Sequence, residues 1–344
     1  PGAAVCRILA TLEMEPKLEG DALSLKIPAY REDMESYQDV AEEVIRFYGY
    51  EHIVPSFLKS AEVTSGGLNE RQRRELKLKE TLTGGGMYEA VHYSFFSPAD
   101  LKLFRYPEGS EALRAIRILN PISEELSLMR TVLSPSMANA VMRNQKASNL
   151  SGRLFELAKV FIPKSLPLTE YPEERAHLAF AFFGKEESFF TLKGALDLAA
   201  ESLHVKFRYE ASSEPFTHPY QTAAVYVGDV KVGYLGKLAY DIAGELNLRT
   251  DAYLAELDLD TIESLPHEPV CFTPLPKFPE VQRDLALVMD KAISCEQVVN
   301  LIQGCSPLIR EVKLFDVYEG APIPPTKKSL AFTLTFRPEE QAFT

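Results

Sequence analysis

The sequence predicts an α+β protein in three parts: a short mixed domain, a larger antiparallel sheet with helices, and an incomplete ferredoxin-like unit. Three observations carry this. At 344 residues the chain exceeds one core of ordinary size, given roughly 100–200 residues per domain. Strand-like runs joined by short turns outnumber helical ones through its middle. The last block reads strand, helix, strand, strand, the first two-thirds of a β-α-β-β-α-β unit.

The first part runs over residues 1–57. It opens on a helix end, "VCRILATLEM", followed by "GDALSLKIPAYRED", an alternating strand closed by Pro28. A second helix is well marked. Ser36 stands at its N-cap with Asp39 three positions on, Val40, Val44 and Phe47 recur at helical spacing, and Gly49 ends it. A polar linker, "KSAEVTSGGLNE", leads into residues 58–271. There a basic amphipathic helix, "RQRRELKLKETLTGGG", precedes the runs "YEAVHYSFFS", "RAIRILNP", "GRLFELAKVFIP" and "RAHLAFAFFG". A helix, "TLKGALDLAAESLHV", comes next, then "TAAVYVGDVKVGYLGKL" and "AYLAELDLDTI", giving an antiparallel sheet with helices on one side. Residues 272–344 supply strand "RDLALVMD", helix "SCEQVVNLIQGC" and strands "IREVKLFDVYEG" and "KSLAFTLTFRP". The absent initiator Met and the end at "QAFT" lead us to expect a piece of a longer chain, with the last helix and strand of the third part beyond it.

Composition removes several classes. No apolar run reaches the ~20 residues of a membrane helix, and no basic segment with a cleavage site opens the chain. Cys6, Cys271, Cys295 and Cys305 are dispersed, which argues for reduced thiols in the cytoplasm and against cysteine-held zinc. A net charge of -12 opposes a generic nucleic-acid binder. From Phe272 onward, however, eight basic and nine acidic residues nearly balance, so that region repels a phosphate backbone least. No H-E-x-x-H, G-x-S-x-G or G-x-x-x-x-G-K-[ST] pattern occurs, and "TGGGM" reads as a helix end and turn.

Two constellations remain. Asp33, Asp39, Glu42 and Glu43 crowd the start of the second helix. At about 100° per residue, Asp39, Glu42 and Glu43 share one arc opposite Val40, Val44 and Phe47, and Asp33 can fold over it. Such oxygen donors suit Mg²⁺. Equally, Asp39 can serve as a cap and Arg46 pair with Glu42, leaving an ordinary solvated face. In the third part, Lys313, Lys327, Lys328 and Arg337 lie on or beside paired strands, with Phe315, Tyr318 and Phe336 near them. Cations that track phosphates beside aromatics that stack on bases would make an RNA surface. The alternative is plain solubility and core filling.

Three stretches give the chain a resemblance. "IPAYREDMESYQDVAEEVIRFYGYEHI" looks like the end of the B5 domain of the bacterial phenylalanyl-tRNA synthetase β subunit. "LNPISEELSLMRTVLSPSMANAVMRNQ" with "GRLFELAKVF" is similar to that subunit's catalytic-like module. "PKFPEVQRDLALVMD" through "KKSLAFTLTFRP" resembles its ferredoxin-fold anticodon-binding domain. The resemblance implies a B5-type domain, a class II synthetase-like antiparallel sheet without catalytic residues, and an anticodon-binding unit. It also implies a cytoplasmic (αβ)₂ tetramer in which the α subunit binds ATP and joins phenylalanine to tRNA(Phe). Asp33, Asp39, Glu42 and Glu43 occupy the family's Mg²⁺-ligand positions, the ion being shared with the α subunit. One departure is that Ala239 and Tyr240 stand where the family has His-Pro. The arginines that a class II site uses on ATP have no counterpart in "GRLFELAKVF" or "VGYLGKLAYDIAGEL". Two rivals are an autonomous class II-like ligase with a pocket within residues 60–265 and a free-standing RNA-binding module.

Overall fold

The computed structural model describes residues 2–56, 66–272 and 274–338, so most of the polar linker lies outside the described residues. The chain divides into two units, Pro1–Leu68 and Asn69–Thr344.

In the first unit, α1 (Gly2–Thr11) leads through a hairpin of β1 (Lys17–Glu19) and β2 (Ala22–Ser24) to α2 (Tyr37–Tyr48). One long strand was expected from Gly20. Instead Gly20 takes φ 62°, which turns the chain and pairs Lys17 with Ser24. The Asp39 carboxylate secures the start of α2, accepting from the Ser36 and Glu35 amides at 2.6 and 3.0 Å and from the Ser36 hydroxyl at 2.8 Å. The Gly49 amide closes the other end on Ile45 O at 2.8 Å.

The second unit opens with α3 (Glu70–Gly84), β3 (Tyr88–Glu89), β4 (Phe95–Phe96), α4 (Pro98–Phe104), β5 (Leu128–Met129) and α5 (Ser134–Lys146). The hairpin of β6 (Gly152–Ile162) and β7 (Glu173–Phe183) precedes α6 (Phe189–Ser202). Then come β8 (Phe207–Ala211), β9 (Thr217–Val227), β10 (Val230–Leu238), α7 (Tyr240–Glu245), β11 (Ala252–Asp258) and α8 (Leu259–Ser264). Seven strands form one sheet in the order β3-β6-β7-β11-β10-β9-β8, with β3 and β6 parallel and the other pairs antiparallel. The run "RAIRILNP" is not a strand; it contributes one isolated bridge, Arg117 to Leu128.

Helices cover both faces of this sheet, not one. The reason lies in β7, whose two alternating sets are both apolar and must both be buried. Leu178, Phe180 and Phe182 pack with Leu78 and Leu82 of α3 and Leu192 and Leu196 of α6. Ala179, Ala181 and Phe183 pack with Met137 and Val141 of α5 and Ile242 of α7. No apolar period announces α5, because it buries small and polar groups, among them Ser134, Ser136, Ala138 and Gln145.

Finally β12 (Val281–Asp290), α9 (Cys295–Cys305), β13 (Ile309–Tyr318) and β14 (Lys327–Phe336) give a sheet in the order β12-β14-β13. This is the strand order of a ferredoxin-like unit. Val298 and Ile302 of α9 bury Leu330, Phe332 and Leu334 on one face. Among the described residues no helix is long and apolar enough to cross a membrane.

Candidate functional site

The acidic arc on α2 is placed differently from the helical-wheel expectation. Glu43, assigned to the wet face, is 7% exposed, whereas Phe47, assigned to the apolar face, is 51% exposed. The cause is Arg31. Its guanidinium forks onto Asp33, Nε to Oδ1 at 2.9 Å and Nη2 to Oδ2 at 2.7 Å, and Nη2 also reaches Glu43 Oε1 at 2.9 Å. Arg46 takes the other Glu43 oxygen instead of pairing with Glu42, and lies over the Phe47 ring 4.5 Å from its centre. Hydrogen bonds from Arg31, then Arg46, hold the Glu43 carboxyl below its ordinary value; the Arg31 bond does the same for Asp33.

Mg²⁺ needs several oxygens free to converge on it. As placed, Asp33 and Glu43 are filled by arginine and Asp39 by the helix start. Among the described residues no three His, Cys, Asp or Glu side chains are placed to hold a metal ion. The donor chemistry suits the ion, but this arrangement does not.

A second site lies on the sheet face beneath α5. The register puts Glu156, Ala179, Glu256 and Tyr234 in one row across β6, β7, β11 and β10. Both glutamates are buried, Glu256 at 4% exposure. Leucine stands at the N-cap of α5 and offers no capping side chain, so Glu256 does that work from the sheet. It accepts from the Leu133 and Ser134 amides at 2.9 Å each, from Ser134 Oγ at 2.6 Å and from His177 Nδ1 at 2.7 Å. A carboxylate at a helix N-terminus is favoured by the dipole as well as by these donors. Glu156 accepts from Arg130 Nη1 at 3.0 Å and from His92 Nδ1 at 2.7 Å.

Ser134, His177 and Glu256 meet without forming a nucleophilic triad, because serine and histidine both bond to the glutamate and no base sits on the serine. Beside the row, a cleft of about 430 Å³ is lined by His92, Phe95, Ser97, Asp100, Asn139 and Arg143. Its Asp100 is already bonded to the Ser97 amide at 2.9 Å and the Asn139 amide group at 2.8 Å. The sequence did carry a signal for this network: Glu156 in "LFELAKVF" and Glu256 in "AYLAEL" are single acids inside apolar runs, which requires buried partners.

These pairs predict a pH profile. Burial pushes His177 down, but the hydrogen bond and charge of Glu256 outweigh it and raise it above its ordinary 6.5. Burial raises Glu256, yet His177, Ser134 and the Leu133 amide outweigh that and hold it below its ordinary 4.5. The histidine's contribution is complete below pH 6.5 and lost as pH rises through its folded value. The carboxylate's is complete above pH 4.5 and lost as pH falls. Urea unfolding across pH should therefore show greatest stability between these limits, with His177→Gln removing the alkaline limb and weakening the acid limb, because His177 also helps hold Glu256 down.

The basic residues of the third part are divided by the pleat. Lys313 pairs with Thr333 on the face away from α9, and Lys327 has the same parity on β14. The two lie roughly 20 Å apart at ~3.3 Å per residue. Lys328 lies on the helix side, its Nζ on Lys291 O at 3.1 Å, and Arg337 is tied to Glu280 at 2.7 Å. Phe336 packs into the core, whereas Phe315 and Tyr318 remain exposed. Asp284 shares the open face, bonded to Thr333 at 2.8 Å.

Three family models match in order along the chain. They are the tRNA synthetase B5 domain at residues 1–50, the phenylalanyl tRNA synthetase beta chain CLM domain at 54–259, and the ferredoxin-fold anticodon binding domain at 276–344. The chain is 36% identical over 339 residues to the phenylalanine--tRNA ligase beta subunit of Clostridium tetani, covering 98% of this chain and 42% of that one. To the beta subunit of Clostridium acetobutylicum it is 34% identical over 340 residues, with 98% and 42% covered. To that of Halalkalibacterium halodurans it is 33% identical over 354 residues, with 99% and 43% covered. The chain thus spans about two-fifths of the length of these relatives. Because the CLM model alone matches residues 54–259, more than half of the sequence, the chain belongs to the phenylalanyl-tRNA synthetase β-chain family.

Proposed function

We propose that this chain is a non-catalytic portion of a phenylalanine–tRNA ligase β subunit. It scaffolds the catalytic α subunit in a cytoplasmic (αβ)₂ enzyme and positions tRNA(Phe) during ATP-dependent aminoacylation. The observation that carries the non-catalytic reading is the row Glu156–Ala179–Glu256–Tyr234. Its carboxylates are consumed by the chain's own donors and α5 is seated on top, which supports a row that holds the fold together and not a substrate. ATP is then bound by the α subunit. The domains are 1–57, 58–271 and 272–344. Mg²⁺ shared with the α subunit would be held by Asp33, Asp39, Glu42 and Glu43 once Arg31 and Arg46 release Asp33 and Glu43 and the helix start releases Asp39, supplying positive charge at the subunit boundary. Lys313 and Lys327, on one face of the third domain, are the cations best placed for RNA phosphate.

Co-purification of the chain with the cognate α subunit tests this directly. We expect a stable complex that binds tRNA(Phe), and weaker RNA binding with a shallower salt dependence in Lys313→Ala/Lys327→Ala. ATP binding by the chain alone would favour the autonomous ligase. Tight tRNA binding without the α subunit would favour the free-standing RNA module.

A further inference from the structure

We infer that Arg31 is the resident cation of the acidic arc, and that a divalent metal can enter only by displacing it. The inference deepens the metal reading above and rests on it.

The geometry is that of an occupied site. One guanidinium satisfies both Asp33 oxygens and one Glu43 oxygen at 2.7–2.9 Å, and Arg46 holds the remaining Glu43 oxygen. Two carboxylates and two guanidinium groups cancel locally. The Arg31 side chain is only 20% exposed and that of Glu43 10%, so water screens their contact weakly. Forked pairs of this kind are the strong class of charge-assisted hydrogen bonds. A magnesium ion demands near-octahedral oxygens at ~2.0–2.1 Å and gives up its water reluctantly, so it competes poorly for carboxylates held by two guanidinium groups, whose positive charge repels it. The two cations are alternatives. The arrangement also explains why a four-acid arc does not fly apart without metal: Arg31, arriving from the turn before α2, balances Asp33 and Glu43 together with Arg46, and pins that turn to the helix.

The difference between the two ligands sets the consequence. Arginine ties Asp33 to Glu43 and leaves Asp39 to its helix start, whereas a metal would need the acids drawn together. Metal uptake is therefore coupled to release of Arg31 and rearrangement of the turn. Whatever supplies a new partner for Arg31, such as an acidic group on a neighbouring subunit, would license it.

The test uses the full chain at low ionic strength, with Mn²⁺ as probe, read by electron paramagnetic resonance of free Mn²⁺ and by thermal unfolding in Mn²⁺ or EDTA. Arg31→Gln should melt lower than wild type in EDTA, recover in Mn²⁺, and bind Mn²⁺ about tenfold more tightly than wild type, the worth of the charged hydrogen bonds removed. Arg31→Gln/Glu43→Gln should lose that gain. Should Arg31→Gln fail to fold, Arg31→Lys keeps the charge without the fork and should still bind more tightly than wild type. Equal Mn²⁺ affinity in wild type and the Arg31 variants would overturn the inference while leaving the metal reading intact. No Mn²⁺ binding by any variant would overturn both.

Discussion

Glu256→Ala should lower the stability of the seven-stranded sheet and its helices by about 3–5 kcal/mol, the range for breaking a buried charged pair by removing one partner. Three losses combine. The His177 imidazole, raised in pKa and mostly buried, loses its counter-charge. The Leu133 and Ser134 amides lose their acceptor, and α5 has no residue of its own to replace it, which by itself costs about 1 kcal/mol for a cap. The Ser134 hydroxyl keeps only its contact with Tyr234. Glu256→Gln keeps one accepting oxygen but turns an amide N–H₂ toward other donors, so it should lose about 2 kcal/mol. Urea unfolding reports the total, and hydrogen exchange at Leu133 and Ser134 reports whether the helix start opens first. A loss below about 1 kcal/mol with unchanged exchange there would mean that water replaces the carboxylate, and that the face under α5 is open enough to admit a ligand.

The same residues mark where reading the sequence succeeds and where it stops. Local chemistry was legible: Ser36, Asp39 and Gly49 bracket α2 as expected, and the β9–β10 hairpin turns at Gly228–Asp229 between alternating runs. Partnership across the chain was not. Helical periodicity placed Glu43 outside because a carboxylate belongs in water, and Arg31, twelve residues earlier, together with Arg46 makes its burial tolerable. Glu256 meets Ser134 across 122 positions. The basic residues of the third part were legible as types but not as a surface, since strand parity sends Lys328 to the side opposite Lys327. In each case the residue's chemistry was readable and its partner was not, because partners are set by register and packing between distant segments.

Arg130→Met is the second change of large expected effect, about 3–5 kcal/mol. At 4% exposure, Arg130 spends its guanidinium on Glu156, on Lys159 O at 2.8 Å and on Tyr93 O at 3.3 Å. Burial raises the Glu156 carboxyl, while His92 and Arg130 outweigh it and keep it ionised. Methionine fills most of the volume but leaves Glu156 charged with only His92 beside it. Arg130→Met/Glu156→Leu removes both charges together and should be more stable than Arg130→Met by about 2 kcal/mol, since exchanging a whole buried ion pair for apolar groups is often close to neutral. If the double variant is instead the less stable in urea, the pair contributes net stability here. If it is the more stable, the pair is not needed to hold the sheet together. Its remaining effect is then on position, because Arg130 bonds the backbone at Tyr93, and Tyr93 stands exposed at the mouth of the cleft with His92 and Phe95. A stable double variant that no longer retains the α subunit would assign the pair to orienting that exposed edge for docking. One that retains it would confine the pair to filling the space under α5.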